Sequence, residues 1–450
     1  MSLLNSSISP QELRGNAELF YALRDARNNL RVVVPSDPVP VSVVADCDSV
    51  AHSVGQQMIL TMINTLLRCG RRFSSLSLDI PDSPLCTAIA GISATTLKGA
   101  AFELAQKVDP HSKIAEGQKD YGFAIVTGNP QCTAPNRVYV GVDGTNVVIS
   151  KTAVSLRPSH APVSAVIAAN FAVAEAYKHF TPSLSVSAIV NAVLELPFLA
   201  DVDVGRVLLV GAGGISHGLA WILQWLGWSG SVVAVDFDPI ETSNLNRYFC
   251  AFVDDVGADK PATLSTFLSK SHVTVQPLSG SYESLRDSKA FDPNEFRHII
   301  TAVDNVPTRL EVQSDLPRSI VNAGTNAWSF DASRHKFDTA PCLACLFPPI
   351  PGVNYGRRVR CGERADGTEQ PPVESYSFVN GLAGAYLALQ LAAATSATGA
   401  AEVPRRYHGS GLHLNSIVAE NRNKDSQCIL FCDHPSVVGR NRAKFSGTVS

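Results

Sequence analysis

The sequence lacks an excess of either charge: its 450 residues include 37 Lys and Arg against 40 Asp and Glu, for a formal net charge of −3. A chain without basic bias gives no support to nucleic-acid binding. It also lacks an apolar run as long as the ~20 residues of a bilayer-spanning helix. The longest run, at 382–395, includes Gly and Gln and predicts a buried helix. We expect a globular protein with neither nucleic acid nor a membrane among its partners.

Residues 1–16 contain no basic segment followed by an apolar core, which is the pattern of a secretory signal. We therefore expect the protein to be cytoplasmic. Ten cysteines in that reducing compartment are expected to be free, metal-bound or catalytic rather than paired in disulfides. At ~100–200 residues per domain, a chain of this length favours two domains.

Both halves of the chain show apolar patterns of strand, helix and strand in the same order. These patterns cover 41–46, 53–70 and 73–82 in the first half, and 206–211, 218–227 and 231–238 in the second. They predict an α/β fold with doubly wound, Rossmann-like and mostly parallel sheets. A duplication would explain the repeat, although any α/β protein contains such units. We predict two tandem domains, 1–182 and 183–435, followed by a flexible tail at 436–450.

A glycine-rich segment, VGAGGIS at 210–216, follows one predicted strand and precedes a predicted helix. In that position Gly211, Gly213 and Gly214 permit a tight turn that directs backbone amides and the helix N-terminus at a phosphate. By itself this pattern is weak evidence, since every dinucleotide-binding fold begins in a similar way. Ser216 stands where a third glycine is usual, which slightly disfavours a nicotinamide cofactor.

A run rich in polar residues, DFDPIETSNLNR at 236–247, follows the next predicted strand. Asp236 ends that strand, where a carboxylate can accept hydrogen bonds from ribose hydroxyls. A dehydrogenase needs little more, but here an amide and a guanidinium follow, on Asn244 and Arg247. Such donors neutralise a triphosphate while a phosphate bond breaks. The run therefore predicts an ATP site.

Lys260 and Asp304 fit the same chemistry. Lys260 lies at a predicted helix start, from which its ammonium can reach the transferring phosphates. Asp304 follows the predicted strand at 298–303, at the edge where ligands bind in parallel sheets, and is a candidate Mg2+ ligand. Taken singly, Lys260 also fits a solvated surface charge, and Asp304 a turn or helix-capping residue.

The order and spacing of GAGGIS, DFDPIETSNLNR, Lys260 and AVDN resemble the adenylation domain of the ubiquitin-activating and ThiF/MoeB superfamily. The resemblance implies that ATP and Mg2+ activate the C-terminal carboxylate of a small ubiquitin-like protein as an acyl-adenylate. It assigns to the ATP site Asp236, Asn244, Arg247, Lys260 and Asp304, the last three as catalytic residues. Tyr248 departs from the family pattern, in which Gln is usual after the Arg.

Four further cysteines form two closely spaced pairs, in PCLAC at 341–345 and CILFC at 428–432. Together, two such pairs can hold a tetrahedral zinc ion as four thiolates. The resemblance implies the same, because many relatives carry one pair on either side of the catalytic loop. The candidate ligands are Cys342, Cys345, Cys428 and Cys432. Free buried thiols remain the alternative, since the second pair is one residue wider than the first.

Cys361 stands between the two pairs in a polar segment, GRRVRCGERADG, that contains four arginines. Guanidinium charge stabilises a thiolate and favours a reactive cysteine. Relatives carry a cysteine between the zinc pairs and ahead of a buried helix, so the resemblance implies that Cys361 attacks the acyl-adenylate and forms a thioester. The alternative is a basic exposed loop with an incidental cysteine.

The first half carries neither the glycine-rich segment nor the Asp, Asn, Arg and Lys set of the second. It therefore resembles the inactive partner domain of a pseudo-dimer. Relatives complete the ATP site with an arginine from the partner domain, and the resemblance points to Arg14, Arg24 or Arg27. This arrangement looks most like the compact activating enzymes of bacterial ubiquitin-like conjugation systems, which act in antiphage defence beside a conjugating enzyme and a protease.

Two other functions stay open at this point. A sulfur-carrier or peptide adenylyltransferase would stop at the acyl-adenylate, without a thioester. A non-catalytic nucleotide-binding scaffold would explain the departures at Ser216 and Tyr248. The partners expected for the preferred function are a ubiquitin-like protein and the conjugating enzyme that receives it.

Overall fold

The structure is a computed structural model, and it describes residues 8–27, 39–117, 122–157, 161–181, 184, 191–197, 201–336, 341–347, 374–396, 403–421, 423–424, 428, 432 and 435–445. Within these ranges the chain forms two sheets flanked by helices. Short runs of Val, Ile and Leu form the central strands because both faces of each sheet are covered. The predicted α/β fold is confirmed.

The first sheet has seven strands in the order β3-β2-β1-β4-β5-β6-β7. Their bounds are β1 Pro40–Ala45, β2 Ser75–Asp79, β3 Lys113–Glu116, β4 Phe123–Thr127, β5 Asn136–Asp143, β6 Asn146–Ser150 and β7 Ala192–Leu194. The strands β1 to β5 are parallel, whereas β6 and β7 run antiparallel to their neighbours. This sheet belongs to the half that lacks the nucleotide motifs.

The second sheet has eight strands in the order β10-β9-β8-β11-β12-β13-β14-β15. Their bounds are β8 Asp203–Val210, β9 Ser229–Asp236, β10 Val273–Ser279, β11 His298–Thr301, β12 Ile320–Asn326, β13 Ser329–His335, β14 Arg406–Ser410 and β15 Val418–Glu420. Five parallel strands again precede an antiparallel extension. The two sheets therefore share one strand order, as the duplication hypothesis expects.

The helices carry local signals that fix their ends. Their bounds are α1 Pro10–Gly15, α2 Ala17–Arg24, α3 Cys47–Val50, α4 Ser53–Arg68, α5 Leu97–Val108, α6 Pro162–His179, α7 Gly214–Leu223, α8 Lys260–Phe267, α9 Tyr282–Asp287, α10 Val306–Ser314, α11 Leu343–Leu346, α12 Ser377–Thr395 and α13 Pro435–Phe445. Thr96 and Asn305 cap α5 and α10 through side-chain oxygens that accept backbone N–H bonds. Short 3-10 turns occupy several of the remaining connections.

Helices of both halves meet in one continuous hydrophobic core. α12 packs on β12 and β13 and against α6 and α7, while α6 packs on the first sheet and against α4. Trp221 Nε1 of α7 donates a 2.8 Å hydrogen bond to Thr61 Oγ1 of α4, across the boundary between the halves. By length and composition α12 could cross a membrane, but 89% of its apolar window is buried in the protein. The predicted buried helix is confirmed.

The domain bounds differ from the predicted ones in three places. β7 pairs with β6, so the first sheet extends to Leu194 and the boundary falls between that residue and Asp203, beyond the predicted 182. At the N-terminus, α1 and α2 pack against turns of the second half, although α2 also contacts the first half through Tyr21 and Arg24. At the other end, α13 replaces most of the predicted flexible tail, because Asn441 Nδ2 donates to the backbone oxygens of Leu316 and Pro317.

Candidate active site

The glycine-rich segment lies where the strand order of the second sheet reverses. β8 leads to β9 and β10 on one side, and the chain then returns to β11 on the other side of β8. Open parallel sheets bind ligands at such a switch point, outside the carboxyl ends of the strands. Gly211 has a φ of +93°, and a Cβ there would lie 2.8 Å from the backbone oxygen of Ala302. Glycine therefore lets the segment pass closely over the end of β11.

Asp236 ends β9 beside the glycine-rich segment. Its Oδ2 accepts a 2.8 Å hydrogen bond from Ala212 N, and its Oδ1 accepts a 3.0 Å bond from Asp238 N. Lys260, the first residue of α8, brings its Nζ to 3.9 Å from Asp236 Oδ1 and to 3.1 Å from Asp238 Oδ2. The structure thus joins two of the predicted site residues in one ion cluster, next to the predicted phosphate loop.

Lys260 is a buried cation, with 8% of its side chain exposed. Burial alone disfavours the charged amine, but Tyr248 and the carboxylates of Asp236 and Asp238 outweigh it and raise the pKa of Lys260 above its usual value. An ammonium that stays charged at every physiological pH suits an anionic ligand. The alternative of a solvated surface charge is therefore wrong for this residue.

Asn244 lies in a compact segment, residues 241–251, which we call the polar loop. The loop begins with a 3-10 turn at Thr242–Asn244, and Asn244 Oδ1 accepts a 2.9 Å hydrogen bond from Glu241 N. Asn244 is buried. The side-chain oxygen of Asn244 thus stabilises the start of the loop. This structural role is additional to the nucleotide contact predicted for Asn244.

Arg247 occupies the middle of the polar loop and lies against the start of α7. Its Nη1 donates to Ser243 O at 2.9 Å and to Asn246 Oδ1 at 2.7 Å. Its Cγ lies 3.2 Å from the position that a Cβ on Gly214 would take. The loop therefore folds back over the glycine-rich segment, and the aliphatic part of the Arg247 side chain lies against the predicted phosphate loop.

Tyr248 and His217 also belong to this site, and neither was among the predicted site residues. Their buried rings stack with centroids 4.4 Å apart and planes at 25°. The Tyr248 hydroxyl lies 3.7 Å from the position that a Cβ on Gly213 would take. Burial, together with three nearby cations, lowers the pKa of His217 well below its usual value, so the imidazole stays neutral. The departure of Tyr248 from the family pattern could have marked it as a site residue, whereas nothing in the sequence around His217 indicated a role in the site.

Asp304 lies on the loop that follows β11, at the same edge of the sheet. Ala302 N donates a 3.0 Å hydrogen bond to Val210 O, which ties this loop to the end of β8. Asp304 is exposed, and its neighbour Asn305 is the residue that caps α10. The capping alternative for Asp304 is therefore wrong. An exposed carboxylate beside the phosphate loop fits a Mg2+ ligand, and that role stays a prediction.

Two of the three N-terminal arginines, Arg14 and Arg24, have partners away from the glycine-rich segment. Arg14 pairs with Asp254 through a 2.7 Å contact between Nη2 and Oδ2. Arg24 is buried in the first half, where Asp25 and Asp109 accept its hydrogen bonds. The side chain of Arg27 and all of 348–373, including Cys361, lie outside the described residues. The role of Cys361 therefore stays a prediction.

The two cysteine pairs meet, as predicted. The sulfurs of Cys342, Cys345, Cys428 and Cys432 all lie within 4.8 Å of one another. The Sγ atom of Cys342 is 3.7 Å from that of Cys345 and 3.4 Å from that of Cys428. Thiolates at the ~2.3 Å Zn–S distance of a tetrahedral site lie about 3.8 Å apart, so the donor set fits structural zinc. Although the second pair is spaced one residue more widely in the sequence, its sulfurs still lie next to those of the first pair.

Comparison with known proteins agrees with this geometry. Residues 186–430 match the ThiF family, and residues 40–193 match the BilD N-terminal domain. The chain is 30% identical over 282 residues to the uncharacterized protein y4jF of Sinorhizobium fredii, covering 57% of this chain and 53% of that protein. It is 28% identical over 152 residues to the adenylyltransferase and sulfurtransferase MOCS3 of Dictyostelium discoideum, covering 33% of this chain and 35% of that protein.

A third relative is the SAMP-activating enzyme E1 of Haloferax volcanii, 30% identical over 152 residues that cover 32% of this chain and 54% of that protein. The chain thus spans between a third and about half of the length of these curated relatives. The match at 186–430 takes in the glycine-rich segment, the polar loop, the first cysteine pair and Cys428, and it ends two residues before Cys432. Because it covers more than half of the sequence, the chain belongs to the ThiF family.

Proposed function

We propose that the chain uses ATP to activate the C-terminal carboxylate of a ubiquitin-like protein. The observation that carries this proposal is the meeting of Asp236, Lys260 and Arg247 around the glycine-rich segment, at the switch point of the second sheet. Membership of the ThiF family supports it, and so do the names of two relatives, an adenylyltransferase and a SAMP-activating enzyme.

In the first step a carboxylate oxygen of the modifier attacks the α-phosphorus of ATP, and pyrophosphate leaves. The Asp236 carboxylate accepts hydrogen bonds from the ribose hydroxyls, and the backbone amides at the start of α7 face the phosphates. Arg247 and Lys260 oppose the negative charge that develops on the transferring group. A Mg2+ ion would be held by Asp304 and would screen the phosphates. One acyl-adenylate and one pyrophosphate result from each ATP.

In the second step the thiolate of Cys361 attacks the acyl carbonyl, and AMP leaves as the thioester forms. The sequence supports this step, because four arginines within GRRVRCGERADG favour the thiolate. A conjugating enzyme would then take the modifier by exchange onto its own cysteine. In this proposal the structural zinc of the four-cysteine cluster supports the part of the chain that flanks Cys361.

A second candidate is a sulfur-carrier adenylyltransferase that stops at the acyl-adenylate. The likeness to MOCS3, named an adenylyltransferase and sulfurtransferase, favours this candidate. A role in a bacterial conjugation system with antiphage activity is part of our first proposal. The pairing of one motif-bearing half with one that lacks the motifs supports it, and the separate match of 40–193 to an N-terminal domain family agrees with that division of the chain. Cytoplasmic location stays a prediction.

The test is incubation of the purified protein with ATP, Mg2+ and a cognate ubiquitin-like protein. We expect exchange of labelled pyrophosphate into ATP and a thiol-sensitive adduct that Cys361→Ala abolishes while exchange continues. Exchange that is unaffected by Cys361→Ala, with no adduct in the wild type, would select the sulfur-carrier alternative. Asp304→Ala should stop both reactions, and full activity of that variant without Mg2+ would contradict the proposal.

A further inference from the structure

A helix of the first half reaches into the polar loop of the second. Asn64 and Arg68 lie one turn apart near the C-terminal end of α4, and both side chains are fully buried. They follow Thr61, which receives the hydrogen bond from Trp221 of α7. A spacing of three to four residues places all three polar side chains on one face of α4. That face is directed at the half with the nucleotide motifs.

Arg68 supplies hydrogen-bond donors to backbone oxygens of the polar loop. Its Nη1 lies 2.6 Å from Leu245 O, and its Nη2 lies 2.9 Å from Ala251 O and 3.4 Å from Phe249 O. Asn64 Oδ1 accepts a 2.6 Å bond from Arg68 Nε, while Asn64 Nδ2 donates to Phe249 O at 3.1 Å. Together the two side chains bind three carbonyls of the loop.

These carbonyls bracket the residues that form the candidate site. Leu245 O comes two residues before Arg247, and Phe249 O and Ala251 O follow soon after Tyr248. The loop is a succession of tight turns, with Arg247 N and Tyr248 N both donating to Asn244 O. Buried carbonyls in such turns need donors from elsewhere, because a lost partner leaves them unsatisfied. The shape of the loop thus depends on a guanidinium from the other half.

The charge of Arg68 suits this task. Burial lowers the pKa of Arg68 to about 9, so the guanidinium remains protonated near neutral pH. Its hydrogen bonds to Leu245 O and Ala251 O end in the polar loop, and its hydrogen bond to Asn64 Oδ1 stays within α4. It therefore differs in kind from an arginine that reaches a phosphate directly.

We propose that Asn64 and Arg68 are positioning residues, through which the first half holds the polar loop in the shape that binds nucleotide. This inference rests on the proposed function, since it assigns ATP to the loop. The half without motifs then supports nucleotide affinity through the shape of the loop, and Arg68 acts without contacting a phosphate. Without Arg68, the loop relaxes toward other turns, and Arg247 and Tyr248 leave their places beside Gly213 and Gly214.

The experiment compares Arg68→Met, Arg68→Lys and a matched control, Arg72→Met. Arg72 is also a buried arginine close to the end of α4, but it donates to Thr181 Oγ1 and lies over the ring of Tyr177, both in the first half. Two readouts are taken on the full chain: hydrogen exchange of the amides at 244–251, and the Kd of Mg-ATP by titration calorimetry. A cooperative thermal unfolding transition is used to check that each variant is folded.

We expect Arg68→Met to weaken ATP binding by roughly 10- to 100-fold, the cost of leaving buried carbonyls unpaired. Loop amides should exchange at least about tenfold faster. Arg68→Lys should recover part of both losses, because an ammonium can still donate to some of the carbonyls. Arg72→Met should leave the Kd and the loop exchange near wild-type values, even if it lowers the unfolding temperature as much.

Two outcomes would overturn the inference: loop amides that exchange in Arg68→Met as slowly as in the wild type, or equal losses of ATP affinity in Arg68→Met and Arg72→Met. A wild-type chain that binds no ATP overturns the proposed function instead. In that case the exchange readout alone still decides whether Arg68 holds the loop.

Discussion

The two sheets share a strand order, but different residues occupy their switch points: an acidic residue in the first sheet and a glycine in the second. Ala45 pairs with Thr127 at the end of β1 as Val210 pairs with Thr301 at the end of β8, so Asp46 takes the place of Gly211. Asp46 Oδ1 accepts a 2.8 Å hydrogen bond from Ser49 N, and Oδ2 accepts a 2.7 Å bond from Asn129 N. A carboxylate of the chain itself therefore binds the amides of this switch point.

A second position shows the same contrast. Val44 pairs with Asp79 as Leu209 pairs with Ala234, so two residues further along each strand Pro81 takes the place of Asp236. Proline offers no carboxylate to a ribose. The comparison teaches that, on a shared strand order, a few residues at one sheet edge distinguish the candidate nucleotide site from an internally satisfied turn. We expect one nucleotide per chain.

The largest effect should come from moving the acidic residue of the first half into the second. Gly213 is the N-cap of α7, as Asp46 is of α3, and its φ of −85° accepts a side chain. Gly213→Asp should cap the helix and keep the fold, while like-charge repulsion weakens ATP binding at least about 100-fold. Titration calorimetry measures the loss, with Gly213→Ala as the control. If Gly213→Asp and Gly213→Ala bind ATP with the same Kd, an acidic residue at this position does not exclude the nucleotide, and the contrast between the two switch points fails.

Removal of the buried cation should have the next largest effect. Lys260→Met leaves Asp236 and Asp238 without the ammonium that neutralises them. Loss of a charge-assisted contact predicts a KM for ATP raised roughly 10- to 100-fold in pyrophosphate exchange. Lys270→Met, which alters an exposed lysine shortly after the same helix, should leave KM unchanged. If both variants have the same KM, Lys260 does not bind the phosphates.

As the pH falls, the stability that depends on His217, at the switch point of the second sheet, should be lost before the stability that depends on Asp46, at the switch point of the first. Burial lowers the pKa of His217 well below its usual value, whereas Asp46 has a lowered carboxyl pKa because its hydrogen bonds outweigh burial. The unfolded chain therefore binds a proton at His217 below about pH 6.5, and stability falls by about 1.4 kcal/mol per pH unit. Stability from Asp46 is lost only when the pH falls below about 4.

Urea unfolding between pH 7 and pH 5 measures this difference. His217→Phe keeps an aromatic ring against Tyr248 and cannot take up the proton, so its unfolding free energy should fall less steeply with acid. His272→Gln, at an exposed position, should retain the wild-type slope. Equal slopes for His217→Phe and the wild type would show that His217 is charged in the folded protein.

The smallest effect concerns the cysteine cluster of the second half. Removing a structural zinc ion releases α11 from the chain at 428 and 432, and we expect the unfolding temperature to fall by several degrees. Metal analysis should find about one zinc per chain in the wild type and none in Cys345→Ser. Cys132→Ser, outside the cluster, is the control. Purified wild-type protein without metal would favour free buried thiols.

Prediction from sequence placed residues accurately where their position depends on neighbouring residues, while their roles stay predictions. The glycine-rich segment, Asp236 and Lys260 are each marked by a strand end or a helix start, and parallel strands bring such points to one edge. The cysteine pairs are marked by their spacing. Arg68 lies 177 residues from Leu245, and a buried arginine within an apolar helix shows no local pattern. The same holds for β7, whose three residues join a sheet far away in sequence.

The approach of Asn380 to the phosphate loop has a mechanical consequence. Asn380 stands in the first turn of α12, bound through Nδ2 to Tyr376 O at 2.8 Å, and a Cβ on Gly214 would lie 2.6 Å from its Oδ1. The glycine-rich segment is therefore packed directly against the beginning of α12, and we expect a displacement of one to displace the other. Cys361 precedes that helix by sixteen positions. We therefore expect a ligand that displaces the glycine-rich segment to displace the start of α12, the helix that follows Cys361 in the sequence.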